Sequence, residues 1–133
     1  MRIAKITLPT ILALVVIGLG VGCTTPDKWH FIGDENEIPF ENNWRNLDEA
    51  RQARYVKDAD GTVYLEGIVI GGVSGTVVCV LPVGYLPSHP IAMSTGSRGE
   101  VAASLTISEA GEIKAWYPPG HGEVLLHAVF TTK

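Results

Sequence analysis

The sequence predicts an all-β domain, an antiparallel β-sandwich of jelly-roll-like kind, behind an N-terminal signal or anchor segment. Three observations carry this. Beyond Trp44 the chain is a series of short runs in which apolar and polar residues alternate, the period of a half-buried strand. Between the runs lie "GGVSG", "LPSHP", "TGSRG", "EAGE" and "PPGHG", all of them turn chemistry. Only "NLDEARQAR" (46–54) has a helical pattern, with Asn46 and Glu49 at capping-box spacing. It is too short to be stable alone, so one turn at most is expected there.

Three segments follow from a pass along the chain: 1–22 a signal peptide or anchor helix, 23–43 a polar tether, and 44–133 the sandwich. Arg2 and Lys5 precede Ile6–Gly22, which carries no charge and is dominated by Ile, Leu, Val and Gly, a signal-peptide layout. As a helix those residues would reach only about 25 Å, at the short end for a membrane span. The stretch closes on "LGLGVGC", which resembles the lipobox of bacterial lipoproteins. Val21 and Gly22 suit the positions before Cys23, whereas Gly20 stands where Leu is usual. The resemblance implies that Cys23 is the lipid attachment site and new N-terminus. Ordinary secretion and a retained anchor are the alternatives. Stable anchoring takes more than one acyl chain, which lipoprotein processing supplies. The expected localisation is the bacterial cell envelope, exported and membrane-anchored.

The tether, "TTPDKWHFIGDENEIPFENN", is acidic and broken by Pro26 and Pro39. Trp29, Phe31 and Phe40 are more apolar than a linker needs, so part of it is expected to dock. Strands are then expected within "QARYVKD" (52–58), "TVYLEGIVI" (62–70), "GTVVCVL" (75–81), "HPIAMST" (89–95), "EVAASLTI" (100–107), "EIKAWY" (112–117) and "EVLLHAVF" (123–130). Alternation places Val63, Leu65, Gly67 and Val69 on one face of the second. It places Val101, Ala103, Leu105 and Ile107 inward on the fifth, Ile113, Ala115 and Tyr117 together on the sixth, and Val124, Leu126, Ala128 and Phe130 together on the last.

Removing residues 1–22 takes away Arg2 and Lys5, leaving 8 basic against 14 acidic residues, formally −6. Duplex nucleic acid is not an expected partner, since phosphate binding needs a basic face. Cys79 lies in the apolar run "TVVCVLP" and reads as an inert buried thiol, with a Cys23–Cys79 disulfide as the competing option.

"KDADGTVYLEG" (57–67) invites a calcium reading. With Gly61 at loop position 6, Asp60 and Asp58 fall at positions 5 and 3. Position 1 is then Val56 and position 12 is Gly67, so two ligands fail. The stretch reads instead as a hairpin with Asp60-Gly61 at its tip. His30, His89, His121 and His127 have no HxH or HxxxH spacing; His121 and His89 lie in loops, and surface histidines are the plain reading. No GxSxG is present, Ser74 sits in a glycine-serine turn, and Cys79 is flanked by Val78 and Val80. No catalytic residue, metal or cofactor is expected. Carboxylates brought together from separate strands remain the one open route to a glycosidase.

Aromatics point further. Trp116 and Tyr117 are adjacent, so they face opposite sides of a strand, and Trp116 shares its face with Glu112 and Lys114. An exposed Trp there is a platform for a sugar ring or a partner protein. The alternative is packing under the N-terminal segment or in a subunit interface. Arg98 in "TGSRG" and His121 in "YPPGHGE" join Trp116 as candidate ligand contacts.

The order "NNWRN…RYVKDADGTVYLEGIVIGGVSGTVVCVLPVGYLPS" resembles a β-module of bacteriophage tail-fibre and baseplate receptor-binding proteins. The matching residues are Asn43-Trp44, Tyr55, Lys57, Asp60-Gly61, Val63, Leu65, Gly67, Val69, Gly71-Gly72, Gly75-Thr76 and Leu81–Pro87. Asn43 stands where the module usually has Gly, and "VLLHAVF" is more apolar than its usual closing strand. The resemblance implies a sandwich that trimerises and presents loops to a cell-surface glycan. The functional expectation is a non-enzymatic binding domain at the bacterial envelope, its ligand a glycan or envelope protein and its assembly a homotrimer. A structural virion component is the alternative, and a small hydrolase the remotest one.

Overall fold

The computed structural model describes residues 26–98 and 101–133. Among these residues nine strands form two antiparallel sheets that pack as a sandwich, the class the sequence predicts. They are β1 His30–Phe31, β2 Arg45–Asn46, β3 Arg54–Lys57, β4 Thr62–Ile70, β5 Val77–Val80, β6 Ile91–Ser97, β7 Val101–Ile107, β8 Glu112–Trp116 and β9 Val124–Thr131. In the first sheet β9 pairs with β4 along its length, from Thr62↔Thr131 to Val69↔Val124. The opposite edge of β4 takes β3 over its first half and β2 at its end, and β1 lies outside β3. The second sheet runs β5-β8-β7-β6.

The core is where alternation put it. Val63, Leu65, Val69, Leu126 and Ala128 of the first sheet are buried, as are Leu105, Ile107, Ile113 and Ala115 of the second. Burying each large aliphatic side chain contributes roughly 1.5–3 kcal/mol. Cys79 is a free thiol within this core, fully buried, and burial pushes its pKa up to about 12. Gly67 sits where the chain crowds itself. Its φ is +133°, and a Cβ there would lie 2.4 Å from Ala53 Cα, so the close approach its strand position suggested is real.

The β3–β4 connection is a hairpin turn over 58–61, with Gly61 N–H donating to Asp58 O at 3.1 Å and Asp58 N–H to Thr62 O at 2.9 Å. Asp58 Oδ1 accepts from the Asp60 and Thr62 amides, both at 2.9 Å. Those bonds, Thr62 first, hold the Asp58 carboxyl below its ordinary pKa. Gly61 takes φ +85°, which Asp-Gly tips favour. The carboxylate that looked like a calcium ligand organises the turn.

Two expectations change. The helix-like stretch is a 3-10 turn at Glu49–Arg51, but its cap is Asp48, whose side chain accepts from Arg51 N–H at 3.0 Å. Asn46 belongs to β2 and accepts from Ala53 N–H at 2.7 Å instead. More consequential is the segment expected as a tether. From Pro26 onward it is part of the folded body. β1 pairs with β3, Ile32 is fully buried, and Ile32 N–H donates to Ala53 O at 2.9 Å. Further on, Glu41 N–H donates to Val78 O at 2.8 Å and the Asn42 side chain to Val77 O at 2.9 Å. One strap thus covers the β3 edge of the first sheet and the β5 edge of the second. It blunts strand edges that would otherwise template pairing with other chains. Its aromatic residues explain the docking. Trp29 lies under the Arg54 guanidinium, 4.0 Å from ring centroid to Cζ, and Arg54 pairs with Glu66. Residues 1–25, with Cys23 and the expected signal segment, lie outside the described residues. No helix among the described residues is long and apolar enough to cross a membrane.

Candidate functional site

Strand direction gives the sandwich two distinct ends. The β3–β4 hairpin tip, the 81–87 loop and the chain's entry at Pro26–Asp27 share one end. Pro87 bridges to Thr132, and Asp27 bonds to Lys57 N–H and the Tyr85 hydroxyl there. The end of β4, the start of β9, the end of β8 and the start of β5 share the other. Trp116 at the end of β8, Arg98 just after β6 and His121 in the β8–β9 connection all belong to this second end.

Trp116 closes β8 with its side chain on the outer face of the second sheet, 43% exposed as the alternation required. Its cross-strand neighbour is Ser104, which faces Ser94 in turn, so a row of small hydroxyl residues runs beside the indole. Gly75 lies under its six-membered ring, where a Cβ would come within 2.7 Å of Cζ3. The backbone beneath is held firmly. Gly75 N–H donates to Ala115 O at 2.8 Å, and Ser74 Oγ accepts from Tyr117 N–H at 2.9 Å and donates to Tyr117 O at 3.2 Å. Ser74 is therefore a strand clamp, its proton and one lone pair engaged by backbone. Tyr117 turns the other way, its hydroxyl donating to Gly72 O at 2.7 Å and its ring edge-on to the buried Trp44.

Arg98 reaches into solvent and pairs by charge with Glu123, whose carboxylate is largely buried and makes no aligned hydrogen bond through its enclosed oxygen. Ser97 Oγ donates to Glu123 O at 2.6 Å, tying the end of β6 to the loop before β9. These residues, with Ile68, Gly96 and Leu125, line a shallow groove of about 180 Å³. His121 lies two residues before Glu123 in a turn where its N–H donates to Pro118 O at 3.1 Å. The fold thus joins Arg98 to the His121 loop through Glu123, while Trp116 begins that loop on the sheet's outer side.

The opposite end holds a cluster that sequence reasoning missed. His30, read as a surface residue, lies on β1 with only 17% of its side chain exposed. Its Nε2 is 3.0 Å from Asp27 Oδ1, and its Nδ1 is 3.2 Å from both Glu37 oxygens. The ring stacks on Tyr55 at 5.0 Å and meets Tyr85 edge-on at 5.5 Å. Burial alone would lower the His30 pKa, but the bonds to Asp27 and then Glu37 outweigh it and raise it. Burial would likewise raise Asp27, yet the bonds from His30, Tyr85 and Lys57 hold it down. Burial, then the Asp27 bond, pushes Tyr85 up to about 12. The spacing Asp27-x-x-His30 was the one local signal. Tyr55, Tyr85 and Glu37 arrive only through tertiary pairing. Among the described residues no group of three His, Cys, Asp or Glu is arranged to hold a metal ion. Here the two carboxylates take opposite nitrogens of one ring.

Two antiparallel sheets packed face to face, with Trp116 exposed at one end, define an antiparallel β-sandwich. The chain matches no protein-family model and no curated protein sequence. Among solved structures it is similar to the receptor-binding protein (gp15) of Listeria phage PSA, with a TM-score of 0.61 and 18% identity. The match covers 80% of this chain and 66% of that one. At that identity the likeness establishes the fold, and in this respect the resemblance read from the motif order holds.

Proposed function

We propose that the chain is an exported, lipid-anchored, non-enzymatic binding domain of the bacterial envelope that contacts a glycan or envelope protein through its Trp116 end. The polarity of the sandwich carries this reading. Three residues separate Cys23 from Asp27, and fully extended they span at most about 14 Å. Asp27 is bonded into the domain at 3.1 Å to Lys57 N–H. A lipid on Cys23 would therefore hold the hairpin end at the membrane. The nine residues of β4 then carry Trp116, Arg98 and His121 about 30 Å outward. An indole beside serine hydroxyls suits a pyranose ring, which presents an apolar face and polar edges. Fold likeness to a phage receptor-binding protein supports binding as the activity.

The same likeness supports the second reading, a structural component of a virion, with a hydrolase last. A homotrimer, which the resemblance implies, would use the outer face of the first sheet. There Tyr64 and Val129 are cross-strand partners, 39% and 54% exposed, and Leu125 is 40% exposed. Metabolic labelling with a radioactive fatty acid tests the anchor. Label on the wild type that vanishes in Cys23→Ser supports it, and an unlabelled wild type sinks it. Mass measurement in solution distinguishes monomer from trimer.

A further inference from the structure

We propose that the Asp27–His30–Glu37 cluster is a proton-operated clasp that fixes how far the chain's N-terminal segment is held against the domain. Each nitrogen of the His30 ring faces a carboxylate, at 3.0 and 3.2 Å. Only the imidazolium has two N–H donors to satisfy both. The neutral ring donates once and leaves a lone pair against the other carboxylate in a half-buried setting. The two carboxylates bonded to the ring favour the cation. Asp27 and Glu37 supply negative charge from the strap. Tyr55 of β3 stacks its ring on the imidazole, and the Tyr85 hydroxyl from the 81–87 loop donates to Asp27 Oδ2 at 2.9 Å, 3.1 Å from His30 Nε2. Two cations lie near the set: Lys28 lines the same shallow pocket as His30, Glu37, Tyr55 and Tyr85, and Lys57 sits 5.0 Å over the Tyr85 ring and is bonded to Gly84 O at 2.6 Å.

The direction of the response follows from both shifts. The His30 pKa is raised above its ordinary 6.5, so its stabilisation is complete below that value and is lost as pH rises through the raised one. Asp27 is lowered from 3.8, so its contribution holds above 3.8 and fails as pH falls through the lowered value. The clasp is tightest at mildly acidic pH and loosens toward alkaline pH. Pairing of β1 with β3 and the stack of Trp29 on Arg54 oppose opening, so proton loss shifts a population. Fully buried Ile32 is the natural stop. Opening to that point would free residues up to Phe31 and lengthen the reach from Cys23 from about 14 to about 32 Å. That consequence rests on the anchored reading, whereas the clasp does not.

Hydrogen exchange on the full chain tests it, with β4 and β9 amides as the internal reference. Protection of the 28–31 amides relative to that reference should fall between pH 5.5 and pH 8 in the wild type, and this dependence should be lost in His30→Gln. A wild-type ratio that is the same at both pH values, or a His30→Gln ratio that still changes, would overturn the clasp. Should His30→Gln fail to fold, Glu37→Gln decides. Its His30 ring resonances should titrate at lower pH than in the wild type, and an unchanged titration overturns the clasp. Neither readout depends on lipidation at Cys23, so failure of the anchor and failure of the clasp are told apart.

Discussion

The two ends of the sandwich use similar side chains to opposite effect. At the hairpin end Asp27, His30, Glu37, Tyr55, Tyr85 and Lys57 bond or stack on one another. At the far end Trp116 stands 43% exposed, and Arg98 is held by one carboxylate with most of its guanidinium in water. Polar groups that satisfy one another add rigidity and leave little for a ligand. Groups left facing water over a rigid backbone are what recognition needs. The first end is built to hold the strap, and on the proposed reading the second is the one a ligand meets.

The largest effect should come from damage that ignores the distinction. Gly67 joins both halves of β4 and has no room for a side chain against Ala53. Gly67→Ala should cost about 3 kcal/mol, lowering the melting temperature by roughly 15 °C and weakening both ends together. A melting temperature within a few degrees of wild type would show that β3 and β4 yield more easily than their contact suggests. Trp116→Ala should separate the ends. We expect binding to fall roughly 30-fold, about 2 kcal/mol, with the melting temperature little changed because the indole is half exposed. Tyr85→Phe should do the converse. It removes the hydroxyl bonded to Asp27, costing about 1 kcal/mol by chemical denaturation while leaving ligand affinity intact. Arg98→Ala should cost about as little, roughly 1 kcal/mol, because it leaves the largely buried Glu123 carboxylate without its partner, and would mark the groove as part of the site only if affinity drops.

What could be read in the sequence divides along the same line. Alternation is local, so the inward residues of β4, β7, β8 and β9 and the outward turn of Trp116 were legible. The Asp60-Gly61 tip was legible too, because turn chemistry is written in neighbouring residues. The strap was not. Its acidic, proline-broken composition is that of a linker, and its place depends on His30 and Phe31 pairing with Tyr55 and Arg54, far along the chain. His30 was misread for the same reason, since both tyrosines come from other elements and Glu37 reaches it only through the fold of the strap. The Arg98–Glu123 pair joins the β6–β7 hairpin to the β8–β9 connection, and no spacing announces it.

Binding of the full-length protein to intact bacterial envelopes, compared among wild type, Trp116→Ala and the hairpin-end control Val83→Asp, probes the polarity of the molecule most directly. Val83 is 90% exposed in the loop beside Lys57, so its substitution should leave the fold alone. We predict loss of binding in Trp116→Ala and wild-type binding in Val83→Asp. Equal binding by wild type and Trp116→Ala, with loss in Val83→Asp, would place recognition at the other end and contradict the assignment.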